Sequence, residues 1–260
     1  MKINIYGRIK LKIRLMKKIF MITFLLLTAA LISIFTNYRY KVTFINTDRK
    51  LPIYCVDTKE KKAAITFDVS LGDEYIDKIL NILDKYNIKA TFFIVGDWID
   101  RNPDKLKQIY EKGHEIGNHS DRHPNMTKIS EGKIVEDINI NEAKIRNITP
   151  SGTQLFRCPE GAYNDMVINT VEKSGYYCIQ WDVDSIDWKE QGADVEYNRV
   201  IKNVKPGSII LFHNTAKHTP ENLPKIIKKL SEEGYKFVKV GDLIYKENYT
   251  LDNEGKQISN

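Results

Sequence analysis

From residue 62 onward, short β-rich runs that end on a polar residue alternate with amphipathic helical runs, and this alternation restricts the fold more than any other feature. "AAITF" precedes a run in which Ile76, Ile79, Leu80 and Leu83 share one helical face. "ATFFIV" precedes a helix opened by Pro103, a good first-turn residue. "HEIGNHS" leads to a helix near 130–146 with Ser130 as its N-cap, and "QLFRCP" to one near 164–173. "YYCIQWDVD" precedes a helix near 194–203, "SIILFH" leads to one opened by Pro220, and "KFVKV" closes the series. Gly113, Gly175 and Gly234 each fall between a helical run and the next strand, where a left-handed C-terminal residue belongs. Seven strand–helix units with continuous apolar strands mean a parallel sheet covered by helices. A barrel and an open doubly wound sheet both satisfy that pattern. A barrel gathers its chemistry at the C-terminal strand ends.

The two ends of the chain read differently. Residues 19–35, "IFMITFLLLTAALISIF", are uncharged and apolar and follow a basic run. Such a segment nearly spans a bilayer core of about 30 Å. Nine of the 40 Lys/Arg and none of the 34 Asp/Glu lie in residues 1–41, so the remainder carries 31 basic against 34 acidic groups. The net charge of +6 therefore belongs to the N-terminus, and the bulk offers no phosphate-binding surface, so nucleic acid is not an expected partner. The basic flank places the N-terminus in the cytoplasm and the remainder outside. No small-x-small site follows the apolar run, which favours an uncleaved anchor over a secretory signal. The expected organisation is a basic cytoplasmic segment at 1–18, an anchor or signal at 19–36 and a connection with a short strand at 37–61. A single domain follows at 62–245, and a polar tail at 246–260 trails off it. Cys55, Cys158 and Cys178 are too few and too scattered for a disulfide framework or a zinc cluster.

Five clusters of chemistry-bearing residues fall at one end of the expected sheet. Asp68 follows "AAITF"; His119 and His123 follow "HEIGN"; Arg157 follows "LF"; Asp182, Asp184 and Asp187 follow "IQW"; His213 follows "SIILF". Singly, each has an ordinary reading: a helix cap, a surface imidazole, a turn former, a satisfied core histidine. His114 and His218 read as solvent-facing loop residues. Together the five supply metal-assisted hydrolysis. Two imidazoles four residues apart can reach one ion with a position left for water. A carboxylate takes a proton, a histidine returns one to a departing amine, and an arginine and an aspartate orient them. No phosphate loop, nucleophile elbow or His-Glu-x-x-His helix is present.

As an ordered set, "TFD" (66–68), "HSDRH" (119–123), "RCPEG" (157–161), "DSIDW" (184–188) and "LFH" (211–213) resemble the polysaccharide deacetylases of carbohydrate esterase family four. "PIYCVDTKEKKAAITFD" and "KPGSIILFHN" look most like the sporulation-type subgroup of spore-forming bacteria. The resemblance covers roughly 62–245 and implies a distorted (β/α)7 barrel preceded by one N-terminal transmembrane helix. It implies Asp68 as general base, His119 and His123 as metal ligands and His213 as general acid. Arg157 would hold Asp68, Asp187 would orient His213, Trp188 and Leu211 would form the acetyl pocket, and Glu160 would contact substrate. The implied cofactor is a divalent metal, zinc by donor chemistry.

The sequence departs from that pattern at Val69, where the family's usual form carries a second Asp that completes the metal triad. Valine has no lone pair to give, so weakened metal binding is expected, with Ser70, Asp73 or a water as substitutes. Cys158 stands where proline is commoner. The expected function is hydrolysis of the N-acetyl group of a peptidoglycan amino sugar or chitooligosaccharide, releasing acetate, by a monomer held at the outer face of the cytoplasmic membrane. The alternative is a catalytically weakened glycan-binding or structural protein of wall or spore assembly.

Overall fold

The computed structural model describes residues 5–43 and 49–260, with side chains described at 12–33 and 49–260. Residues 1–4 of the basic segment and 44–48 of the connection lie outside the described residues. The chain divides into two compact units, 1–49 and 50–260.

The first unit is one helix, α1 (Ile5–Thr43). Within it Lys12–Ser33, 22 residues, is long and apolar enough to cross a membrane, about 33 Å at helical rise. Its large apolar side chains from Ile19 to Ile32 are exposed, as a lipid-facing or signal segment requires.

The second unit is a distorted barrel. Its wall runs β8 (Ser208–His213), β2 (Lys62–Val69), β3 (Thr91–Ile94), β4 (Glu115–Asn118), β5 (Leu155–Phe156) and β6 (Tyr177–Cys178), each pair parallel. The gap between β6 and β8 is bridged by the N-terminal segment. Ile53 donates its N–H to the Cys178 carbonyl (2.8 Å) and accepts from Gln180 N–H (2.7 Å). Two residues later β1 (Cys55–Val56) pairs antiparallel with Ser208. Two short strands fill the remaining edges: β7 (Val183–Asp184) beside the C-terminal half of β8, and β9 (Lys236–Phe237) beside the start of β2.

Helices pack outside, and the strand period of two sorts the side chains. Along β2, Ala63, Ile65, Phe67 and Val69 face outward. There they join Ile76, Ile79, Leu80 and Leu83 of α2 (Ile76–Lys85) and Leu223, Ile226, Ile227 and Leu230 of α8 (Thr219–Glu232) in one apolar layer. Ala64 faces inward with Phe93 and Ile209, and Thr66 and Asp68 stand above it at the C-terminal end. α3 (Gly96–Arg101), α4 (Pro103–Glu111), α5 (Glu131–Arg146), α6 (Asp165–Lys173), α7 (Ala193–Asn203) and the short α9 (Val240–Leu243) complete the shell. Asn164 caps α6 by accepting from Val167 N–H (2.9 Å). Ser130 occupies the N-cap position of α5 but its side chain makes no cap bond.

Three sequence expectations need correction. The polar stretch 246–260 does not trail off the domain. It forms the hairpin β10 (Tyr249–Leu251) and β11 (Lys256–Ser259), and β11 pairs in parallel with β1. It lacks an apolar stripe because it is held by backbone pairing and one buried amide: Gln257 accepts from Tyr245 N–H (2.7 Å) and donates to Tyr245 O (2.6 Å). Residues 50–56, read as a connection with a short strand, do carry that strand (β1) and also form the closing piece of the barrel. His114 is not a surface loop residue; it is 3 % exposed, accepts the Ala90 N–H at Nδ1 (3.1 Å), and burial pulls its pKa down to about 4.

Closure also depends on Gly207. Its φ is +85°, its N–H reaches the Lys62 carbonyl (2.7 Å), and its carbonyl accepts from Val56 N–H (3.0 Å). A Cβ there would collide with the Val56 carbonyl oxygen, which is backbone and cannot swing aside. Gly207→Ala is expected to cost at least about 2 kcal/mol in urea unfolding, from left-handed strain plus the lost β1–β8 contact.

Candidate active site

Strand register assembles the site. Asp68 on β2 and His213 on β8 are direct cross-strand partners at the C-terminal ends of adjacent parallel strands. Asn118 on β4 pairs with Phe156 on β5, so the next residues, His119 and Arg157, also emerge side by side. Asp184 on β7 pairs with Leu211 on β8. A cavity of about 430 Å³ opens at this end, lined by Asp68, Ser70, His119, His123, Glu160, Gly161, Trp181, Asp184, Trp188, Leu211 and His213. Arg157 and Asp187 lie behind it.

Asp68 is held from below. Arg157 is fully buried and donates through one terminal nitrogen to Asp68 Oδ1 (2.7 Å) and Thr66 Oγ1 (2.9 Å), and through the other to the Gln180 carbonyl (3.1 Å). Thr66 passes its own hydroxyl proton to Ile210 O (2.7 Å), so its oxygen is free to accept from the arginine. The guanidinium carbon Cζ lies over the Phe93 ring, 3.9 Å from its centroid. Burial pushes the Asp68 carboxyl up, but Arg157, His119 and His213 together outweigh it and hold Asp68 below the ordinary carboxylate range.

His119 is 2 % exposed and its Nδ1 lies 2.8 Å from the Arg157 carbonyl, which can only accept. Nδ1 therefore carries the proton and Nε2 keeps its lone pair, 3.4 Å from Asp68 Oδ2. Burial lowers the His119 pKa to about 4. His123 follows in a left-handed turn (φ +55°) that its N–H bond to Ser120 Oγ (2.9 Å) secures, and the two imidazole centroids are 5.0 Å apart. The buried Nε2 lone pair of His119 is one that a cation would satisfy. The two imidazoles are donors that suit zinc. They stand alone as a pair: among the described residues no group of three or more His, Cys, Asp or Glu side chains is placed to hold an ion.

Val69 shows why. β2 continues through it to pair with Ile94, and its side chain is fully buried in the outer apolar layer. Of the substitutes, Ser70 lines the cavity while Asp73 is exposed outside it. Cys158 does not reach the site; it is buried with its Sγ 3.8 Å from Cys178 Sγ.

Opposite Asp68, His213 Nδ1 lies 2.7 Å from Asp187 Oδ1. Asp187 also accepts from Trp188 N–H (2.8 Å), His213 N–H (2.7 Å) and Thr219 Oγ1 (3.0 Å), which fixes both of its oxygens. Burial works against the charged imidazole, but Asp187, with Asp68 and Asp184, more than offsets it and raises the His213 pKa above its ordinary value. Trp188 is 57 % exposed at the rim, and Leu211 forms the floor beside it. Glu160, in a left-handed conformation (φ +58°), accepts from Asn125 (3.1 Å) at the mouth.

Seven of the nine sequence-selected residues thus line one opening, and the other two, Arg157 and Asp187, back it. Sequence reasoning missed Thr66 as the hydroxyl under the arginine, the Gln180 carbonyl, Trp181 in the wall and Thr219 beneath Asp187. Trp181 adjoins Asp182, and Thr66 lies two residues before Asp68 on the same face of β2, which is the signal they carried. A backbone carbonyl and a helix-start threonine carry none.

A family model described as polysaccharide deacetylase matches residues 56–179. The chain is 37% identical over 194 residues to a peptidoglycan-N-acetylglucosamine deacetylase of Bacillus cereus, covering 73% of this chain and 91% of that one. It is 31% identical over 202 residues to the peptidoglycan-N-acetylmuramic acid deacetylase PdaA of Bacillus subtilis, covering 76% and 77%. The solved structure of wild-type BA3943, a CE4 family pseudoenzyme from Bacillus anthracis, superposes with a TM-score of 0.71 at 37% identity over 74% of this chain and 68% of that one. Fold, ordered site residues and these likenesses agree, and the chain belongs to the polysaccharide deacetylase family of carbon–nitrogen hydrolases.

Proposed function

We propose that this chain hydrolyses the N-acetyl group of a peptidoglycan-type amino sugar, releasing acetate and a free amine, at the outer face of a membrane that α1 anchors. The observation that supports this most is the pairing of two separately oriented groups side by side at one cavity: Asp68 clamped by Arg157, and His213 clamped by Asp187. The basic residues of 1–18 and the apolar span after them favour an uncleaved anchor with the barrel outside.

In this reading the acetyl methyl enters between Trp188 and Leu211. Asp68, ionised at any physiological pH, takes the proton of the attacking water. His213, charged through Asp187, returns a proton to the departing nitrogen, so that the C–N bond breaks with a neutral amine leaving. Arg157 keeps its charge and holds Asp68 Oδ1, which leaves Oδ2 to face the reacting water. Glu160 at the mouth contacts the sugar. His119 and His123 would hold a divalent ion, zinc by donor chemistry, which when bound polarises the acetyl carbonyl and acidifies water. With Val69 turned into the outer layer, metal affinity is expected to fall 10–100-fold or more below that of a site with a full ligand set.

The test is acetate release from N-acetylated peptidoglycan fragments and chitooligosaccharides by the full chain, with added zinc or cobalt and with chelator. Release that chelator abolishes and zinc restores is the expected result. No release with either substrate under any metal sinks the reading. That outcome favours a second one, which the buried Val69 and the likeness to a pseudoenzyme support: a glycan-binding wall or spore protein with weakened chemistry. Glycan binding without acetate release, unaffected by Asp68→Asn, would establish it.

A further inference from the structure

Beneath Asp187 lies a carboxyl that the proposed reaction does not use. Glu196, in the first turn of α7, is 3 % exposed, and its Oε1 has no hydrogen-bond partner among the described residues. Its carboxyl lies against Thr219 and Asn222 of α8. Thr219 is fully buried and donates its hydroxyl proton to Asp187 Oδ2 (3.0 Å); Asn222 spends its amide on the Ala193 carbonyl (2.7 Å). Thr219 thus stands between two carboxyls with one proton to give.

We propose that Glu196 is a positioning residue that acts through Thr219 and Asp187 to set the charge state of His213. The hydroxyl arithmetic gives the direction. When Glu196 is protonated it donates to Thr219, whose own proton goes to Asp187; both contacts are satisfied. When Glu196 is ionised it competes for the Thr219 proton and adds a second negative charge behind Asp187. Both changes make Asp187 a stronger acceptor and bind the His213 proton more tightly.

The surroundings of Glu196 leave this coupling uncompensated. Burial, and then Asp187, push its pKa up to about 7, against the lowering contacts of Thr219 and Asn222. From α8 it faces Glu221, whose charge is tied to Lys225 (2.7 Å) at the surface. Asp194 lies on its own helix. His213 itself faces Asp187, Asp68 and Asp184. Because interaction is reciprocal, the charge on Glu196 and the charge on His213 each shift the other through Asp187.

This inference rests on reading His213 as the proton donor, but its test does not need hydrolysis. NMR titration of the His213 imidazole is followed in the whole protein without glycan. Glu196→Gln is expected to lower the His213 pKa by roughly half a unit or more, since it removes the charge and keeps the shape. Glu196→Asp is expected to restore the wild-type direction. Thr219→Val takes a donor from Asp187 and is expected to shift the His213 pKa the opposite way, upward. An unchanged His213 titration in folded Glu196→Gln protein overturns the proposal. Should that variant not fold, an unchanged titration in Thr219→Val overturns it equally. Where acetate release is measurable, the alkaline limb of kcat/KM moves to lower pH in Glu196→Gln. A uniform drop in rate with an unmoved limb marks a merely structural carboxyl.

Discussion

Asp68→Asn is expected to lower acetate release by roughly 10²–10⁴-fold and to cost the fold about 3–5 kcal/mol. The two losses share one cause. Arg157 is fully buried and spends its charge on Asp68 Oδ1 at 2.7 Å. Asparagine keeps the volume but leaves the guanidinium without a counter-charge where water cannot reach it. Acetate release and urea unfolding of the same preparation measure both. A variant that loses activity and keeps full stability means that Thr66 and the Gln180 carbonyl alone hold the arginine. The linkage sign follows from the lowered Asp68 pKa. Its stabilisation is complete above the unfolded carboxyl value near 3.8 and is lost as pH falls through the still lower folded value. Wild-type protein is therefore expected to weaken in acid below about pH 4, and Asp68→Asn to lack that part of the acid transition.

Asp187→Asn is expected to reduce the rate by a similar order, about 10²–10⁴-fold, through a different route. Nothing at the cavity surface is removed. The amide cannot supply the charge that raises His213, so the imidazole loses its proton at lower pH, and an amide nitrogen facing Nδ1 disfavours the Nδ1–H tautomer. The rate needs Asp68 ionised and His213 charged. The wild-type profile should therefore rise through the depressed Asp68 pKa, below 3.8, and fall through the raised His213 pKa, above 6.5. In Asp187→Asn the alkaline limb should move acidward while the acid limb stays. Stability follows the same sign: the contribution of a raised histidine is whole below about 6.5 and lost as pH climbs through its folded value. A rate profile with both limbs unmoved in Asp187→Asn would rule out His213 as the acid.

The legibility of the fold varied with how each element is held. β2, β3 and β8 are continuous apolar runs because both faces are buried, and their ends were readable to within a residue or two. β5, β6, β7 and β9 have only two residues each. Their positions were legible from the helices around them rather than from their own pattern. The hairpin of β10 and β11 was missed because backbone pairing to β1 and a single buried Gln257 hold it, and neither leaves a periodic trace. His114 was misread for a related reason. An imidazole beside glycine looks like a loop until the Ala90 N–H that it satisfies is known.

The sequence by itself determined a parallel sheet covered by helices, the apolar N-terminal span, and the order of the candidate site residues, and its resemblance implied the barrel. Strand ends are marked by where apolar character stops, and function is marked by which residue comes next. Only the tertiary structure decided how those residues meet. Parallel register sets Asp68 against His213, one arginine ties β2 to the segment that follows β6, and Thr219 links the Asp187 clamp to Glu196. Val69 belongs to both accounts. The sequence shows that it has no lone pair, and the fold shows that β2 carries its side chain into the layer against the helices. Valine's apolar side chain follows the alternation of the paired strand into that layer and leaves nothing for the neighbouring site.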